Sequence, residues 1–88
     1  MANIRDLKKD INYVLGDIID AAYIWEAIHP EQDPAKAEAI VDDAISTFDE
    51  LIARVSDKKA ENRKQNLQAV RADLEVKGKD LIDRINAL

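Results

Sequence analysis

Glu26 and His29 are the residues whose types and spacing could bind a metal. They form a Glu-x-x-His pattern on a predicted helix, where residues three apart share one face, and helical bundles that hold metal ions use this spacing. His29 is the single histidine, so a complete site would need a homodimer in which each copy adds an acid such as Asp17 or Glu38. Because the helix must end before Pro30, we expect the His29 ring to hydrogen-bond terminal carbonyls, and we predict no metal or other cofactor.

A second set of candidate groups consists of carboxylates on the predicted helix 2. One rim of that helix carries Glu38, Asp42 and Asp49, and the other rim carries Asp43 and Glu50. Carboxylates act as a catalytic acid and base only in a cleft that perturbs their pKa values, whereas on an amphipathic helix they face solvent. The sequence also has no glycine-rich phosphate loop, no Gly-x-Ser-x-Gly elbow and no second histidine. We therefore predict no catalytic residue and no enzyme activity.

Length, charge and cysteine content exclude further classes of protein. The 88 residues are enough for one small domain, and the lack of cysteine favours a cytoplasmic protein without disulfides. Four aspartates within the first twenty residues are unlike a signal peptide, and no apolar run approaches the roughly 20 residues that span a bilayer. A net charge of −5 argues against nucleic-acid binding. We expect no membrane partner and no nucleic-acid partner.

Helix 1 is predicted over residues 3 to 29. Apolar residues recur every three or four positions from Ile4 to Ile28, and flanking apolar residues widen this arc to roughly half of the circumference. A helix with so wide an apolar arc must contact two or more other helices. We expect Asn3 to be the N-cap and Pro30 to end the helix.

Helices 2 and 3 are predicted over residues 34 to 55 and 58 to 87. Asp33 can accept the first free amide hydrogens of helix 2, and Pro34 is well suited to its first position. The break near Ser56 and Asp57 contains no glycine or proline, so a continuous helix from 34 to 88 in an intertwined dimer remains an alternative.

The order of core layers follows from counting residues in an up-down-up bundle with tight turns at 29/34 and 55/58. The count sets Trp25 level with Ala37 and Gly78, so that the largest side chain faces two of the smallest. A second predicted layer contains Leu15, Phe48 and Leu67. The other predicted core residues are Val14, Ile18, Leu74 and Leu81.

Charge is spread unevenly along the chain. Residues 30–56 contain seven acids and two bases, whereas residues 57–88 contain eight bases and six acids. We expect helices 2 and 3 to attract each other. The same layer count brings Asp42 near Arg71, and Asp49 near Lys64.

Helix 1 also carries large side chains away from its main apolar stripe. Tyr13 and Ile24 nearly align, and Tyr23 lies beside Gly16. Aromatic residues around a glycine would let another helix approach closely, and aromatics are favoured interface anchors. We predict that this second face of helix 1 is an interaction surface.

The sequence as a whole predicts an all-α, three-helix up-down-up antiparallel bundle. Its predicted function is that of a non-catalytic interaction module that self-associates as a homodimer or binds another helical protein. One alternative is a dimeric metal-binding bundle that uses Glu26 and His29. Another is a small acidic regulator that presents helix 2 to a basic partner surface.

Overall fold

The computed structural model describes residues 4–57 and 63–88 and contains three helices: α1 (Ile4–Ile28), α2 (Ala35–Val55) and α3 (Arg63–Asn86). Each helix packs against the other two, and no strand occurs in these two ranges. The predicted all-α up-down-up bundle is confirmed. The predicted N-cap Asn3 and the predicted start of helix 3 at residue 58 lie outside the described residues. Within the described ranges, no helix is long and apolar enough to cross a membrane.

The corner between α1 and α2 is held by the residues that the sequence indicates. The backbone N–H of Ala35 donates to Asp33 Oδ1 over 3.0 Å, and Pro34 has a helical φ of −77°. The Asp33 carboxylate thus satisfies the amide of the first residue of α2, and Pro34, which directly precedes the helix, has no N–H to satisfy. The hydrogen bond expected of Asp33 is therefore confirmed, while α2 begins at Ala35, one residue after the predicted start at 34.

The end of α2 is fixed by backbone bonds and by a side chain of α3. The Ser56 N–H donates to Ile52 O over 3.0 Å, and Asn66 Nδ2 donates to Arg54 O over 2.8 Å. Because α2 ends at Val55 and α3 packs back against it, the alternative of one continuous helix from 34 to 88 is wrong.

The core runs between the three helices and is aliphatic. No polar or charged side chain is buried among the described residues. Of the predicted core, Leu15, Ile18, Ala37, Leu74, Gly78 and Leu81 are buried, while Val14, Phe48 and Leu67 are half-buried and pack against the core cluster. Burial of each large aliphatic side chain contributes about 1.5–3 kcal/mol before the entropy of ordering it is subtracted.

The position of α3 along the bundle differs from the prediction. A Cβ on Gly78 would lie 3.1 Å from Val14 Cγ1, so Gly78 is opposite Val14 and not opposite Trp25. The difference is eleven residues of α1, about 16 Å at 1.5 Å per residue. The prediction assumed a tight turn at 55/58, whereas Asn66 is the residue that meets the end of α2. Leu67 therefore packs at that end and not in a layer with Leu15.

The shift leaves one end of the α1–α2 hairpin without α3. Counted from the Val14–Gly78 contact, the last residue of α3, Asn86, is level with Ala22, so Trp25 lies beyond the end of α3. Trp25 is half-buried and stacks on His29 with ring centroids 4.7 Å apart. Ile28, which the apolar pattern places on the buried stripe, is 67% exposed for the same reason.

Ion pairs between helices follow the observed register. Lys77 and Arg84 of α3 bind Glu50 and Asp43 of α2 at 2.8 and 2.6 Å, in the sense that the charge distribution predicts. One pair has the reverse arrangement, with the base on α2 and the acid on α3: Arg54 binds Asp73 at 2.5 Å.

The particular pairs predicted from the layer count are wrong. Arg71 binds Asp10 of α1 at 3.3 Å and not Asp42. Because the register differs, Asp49 and Lys64 are not at the same level either. Exposed pairs each contribute about 0–1 kcal/mol, so they act mainly on orientation.

Candidate functional site

The side of α1 that faces away from α2 and α3 is the candidate interaction surface. We call it the outer face, and it consists of Lys9, Tyr13, Gly16, Asp20, Tyr23, Ile24 and Ala27. Apart from Ile24 these residues follow each other in steps of four and three, the spacing that keeps side chains on one side of a helix. Tyr13, Tyr23 and Ile24 are 62%, 53% and 58% exposed, so three large side chains of one helix project into solvent.

The four residues predicted as the interaction surface lie on the two flanks of this face. Tyr13 and Ile24 are three helical turns apart on one flank, and Gly16 and Tyr23 are two turns apart on the other. The charged residues that lie between the flanks were not among the predicted interaction residues. The four-three spacing of exposed positions was the signal that could have found them.

The flank with Tyr13 borders a shallow cleft between α1 and α3. This cleft has a volume of about 430 Å³, and its lining includes Tyr13, Val14, Gly78 and Ile82. A neighbouring cleft of about 370 Å³ continues along the same two helices and shares Val14 and Ile82 with the first. The apolar surface of the outer face therefore extends sideways onto α3, at a residue that the sequence did not indicate.

Gly16 and Gly78 have opposite environments. At Gly78 a Cβ would press on Val14 Cγ1 at 3.1 Å, so the absence of a side chain lets α1 and α3 come close. At Gly16 a Cβ would have no atom of the described chain within 4 Å outside its own stretch of helix. Both residues have ordinary helical backbone, where glycine costs about 1 kcal/mol relative to alanine. The packing of the described chain accounts for Gly78 but not for Gly16.

Within the part of the chain that the structure describes, the candidate metal ligands Glu26 and His29 do not form a complete site. His29 Nδ1 donates to Trp25 O over 3.0 Å, the carbonyl bond that its position at the helix end predicts. Glu26 is half-buried, and its Oε1 is buried without a hydrogen-bond partner among the described residues. No group of three or more metal-binding side chains occurs in residues 4–57 and 63–88. Glu26 and His29 would thus supply at most two ligands per copy.

The acids of α2 are divided by the position of α3. Asp43 and Glu50 pair with Arg84 and Lys77, so their charge is already partly neutralised. Asp42 and Asp49 lie on the other rim and are exposed, with no ion pair to another described residue. The acidic surface available to a basic partner is therefore smaller than the sequence suggests.

The fold and this surface define a small helical bundle whose first helix exposes three large side chains, Tyr13, Tyr23 and Ile24, on its outer face. Comparisons with protein-family models, with curated proteins and with solved structures find no match.

Proposed function

We propose that this protein is a non-catalytic interaction module that binds a helical partner through the outer face of α1. The observation that carries the proposal is the exposure of Tyr13, Tyr23 and Ile24 on one helix. Tyrosine gives large contact area with few rotatable bonds and keeps its hydroxyl in contact with water. Aromatic residues are enriched where protein interfaces form, so these side chains are suited to be anchors.

The spacing of the outer face favours a helix as the partner. Its residues follow steps of three and four, and a second helix can lay its own side chains between such rows. Gly16 leaves a gap in this face, because a Cβ there would meet no atom of the described chain within 4 Å outside its own helix. A partner side chain can fill this gap, so that large and small residues alternate as they do in a packed core.

The partner that we propose is a second copy of the chain or another helical protein, in the cytoplasm. The acidic net charge of −5 and the aspartates of α1 are unfavourable for a nucleic-acid or membrane surface. A helix–helix contact is also what a small core gains most from, because it buries further apolar area.

The proposal is tested by a double substitution on the outer face, Tyr13→Ser with Ile24→Ser. Self-association is measured by light scattering over a wide concentration range, and partner capture is measured in parallel with the immobilised chain. We expect the substituted chain to lose whichever association the wild-type chain shows. Val76→Ser is the matched control, because Val76 is 69% exposed on α3 and lies outside the outer face.

Circular dichroism should show both variants folded. If the outer-face variant and the Val76 control retain the wild-type associations equally, the interaction does not use this surface and the proposal fails.

A further inference from the structure

We infer that the helical partner of the outer face is a second copy of this chain, with the two α1 helices antiparallel, Tyr13 of each copy over Gly16 of the other, and Lys9 of each beside Asp20 of the other. This inference rests on the proposed function, because it names the partner of the same surface. It is carried by the distribution of charge along α1 and by the gap at Gly16.

Charge is distributed unevenly along α1. Before Gly16 the helix carries three bases, Arg5, Lys8 and Lys9, and two acids, Asp6 and Asp10. Arg71 of α3 binds Asp10 and partly neutralises its charge. After Gly16 all charged residues of α1 are acids, namely Asp17, Asp20 and Glu26. The helix thus has a more basic first half and an acidic second half.

This distribution of charge favours an antiparallel pair of α1 helices. In a parallel pair each half would face the same half of the other copy, so that acid would face acid. In an antiparallel pair the basic half of each copy faces the acidic half of the other, and opposite charges meet twice. A two-fold symmetric contact requires a self-complementary surface of this kind. Complementary charges across an interface fix orientation and exclude the alternatives.

The same charges indicate the register of the two α1 helices. Facing residues of an antiparallel symmetric pair are equidistant from the two-fold axis. Tyr13 and Gly16 are equidistant from a point between Val14 and Leu15, and so are Lys9 and Asp20. One axis therefore sets the aromatic ring over the glycine and the lysine beside the aspartate in both copies. All four residues lie on the solvent side of α1, and Lys9, Tyr13 and Asp20 are exposed.

The packing of the described chain does not account for the glycine at position 16. A Cβ at this position would touch no atom of the described chain outside its own helix, in contrast to Gly78. Glycine is unfavourable in a helix interior, and a close approach of another side chain is a physical reason to keep it. The Tyr13 ring of a second copy supplies that approach in the register above.

Charge reversal tests the register. Sedimentation equilibrium over a wide concentration range would compare the wild-type chain with Lys9→Glu and with Lys9→Glu/Asp20→Lys. By symmetry the single substitution places like charges together twice, and we expect dimerisation to weaken by about tenfold to a hundredfold. The double variant restores opposite charges and should dimerise within about threefold of the wild-type chain. Lys36→Glu, which makes the same charge change on α2, is the control and should have little effect.

The outcomes separate this inference from the proposed function. A wild-type chain that is monomeric at every concentration overturns the second-copy inference, while the outer face stays available to another protein in the capture experiment. A dimer that dissociates with Tyr13→Ser/Ile24→Ser, but that Lys9→Glu does not weaken, contradicts the register and supports the surface. A dimer that neither variant weakens contradicts both proposals.

A distance measurement tests the antiparallel orientation independently. The chain contains no cysteine, so Ala27→Cys gives one site for a spin label in each copy. At 1.5 Å per residue the antiparallel register sets the two labels about 37 Å apart along the helix axes. A parallel pair would set them side by side, and a measured separation of that kind would overturn the inference.

Discussion

Two glycines in the middle of helices divide this molecule into a side that its own chain fills and a side that it leaves open. At Gly78 the missing side chain lets α3 come against Val14, at a distance where a Cβ would be 3.1 Å from the valine methyl group. At Gly16 the same missing side chain faces open space. The difference shows that a glycine in a helix can be explained only when its neighbours in space are known, because the backbone conformation is the same at both positions.

The two sides of α1 differ in the same way. The inner side carries the fully buried Leu7, Ile11 and Leu15, and both other helices pack on it. The outer face carries Tyr13, Tyr23 and Ile24 with more than half of their surface exposed. Stability should therefore depend on the inner side and association on the outer face.

The largest expected difference in stability is that between substitutions of Leu15 and Tyr13, which lie two positions apart on opposite sides of α1. Leu15→Ala should lower the free energy of unfolding by about 2–5 kcal/mol, because it removes fully buried methyl groups and leaves a cavity. Tyr13→Ala should change the same quantity by less than about 1 kcal/mol, since its ring is mainly exposed. Urea unfolding of both variants in dilute solution measures the difference. Equal effects would mean that the two sides of α1 are not distinct.

The second comparison is between the effects on stability of substituting leucine for Gly78 and for Gly16. Gly78→Leu should destabilise the fold by about 1–3 kcal/mol, because the new side chain must displace Val14 or move α3. Gly16→Leu should leave thermal unfolding of the dilute chain unchanged or slightly improved, because the side chain enters open space and leucine favours helices. It should weaken dimerisation, however. A lower melting temperature for Gly16→Leu than for Gly78→Leu would contradict the assignment of the two environments.

The smallest expected difference is that between alanine substitutions. Gly16→Ala should stabilise the dilute chain by about 0.5–1 kcal/mol, the helix preference of alanine over glycine. Gly78→Ala should gain less, since Val14 must move by a few tenths of an ångström to admit the Cβ. For a domain of this size 1 kcal/mol corresponds to roughly 4–8 °C in melting temperature, so calorimetry can resolve the order. The reverse order would show that Val14 yields more easily than its packing suggests.

Local signals in the sequence predict the α1–α2 hairpin well. Asp33 and Pro34 mark the start of α2, and the amide of Ala35 binds Asp33 as expected. The position of α3 could not be obtained in this way, because its apolar residues are sparse and no glycine or proline marks the preceding turn. The hydrogen bond from the Asn66 side chain to the end of α2 joins residues that are distant in sequence, and the spacing of apolar residues does not reveal it.

The candidate surface was predictable in its large residues but not in its arrangement. Tyr13, Tyr23 and Ile24 lie off the main apolar stripe, and helical geometry alone places them on the exposed side of α1. Ile82 lines the same cleft as Tyr13 only because α3 lies where it does, and the sequence gives no local signal for this arrangement.

The sequence by itself determined that the chain is helical, that α2 begins close to Asp33 and Pro34, and which side of α1 is buried, because capping and apolar periodicity act over a few residues. That α2 and α3 are separate helices was decided by the tertiary structure. Only the tertiary structure decided the register of α3, the exposure of Ile28 and the different roles of Gly16 and Gly78. These features depend on how side chains far apart in sequence fit together, and shifting one helix by whole turns preserves its apolar face while changing every neighbour.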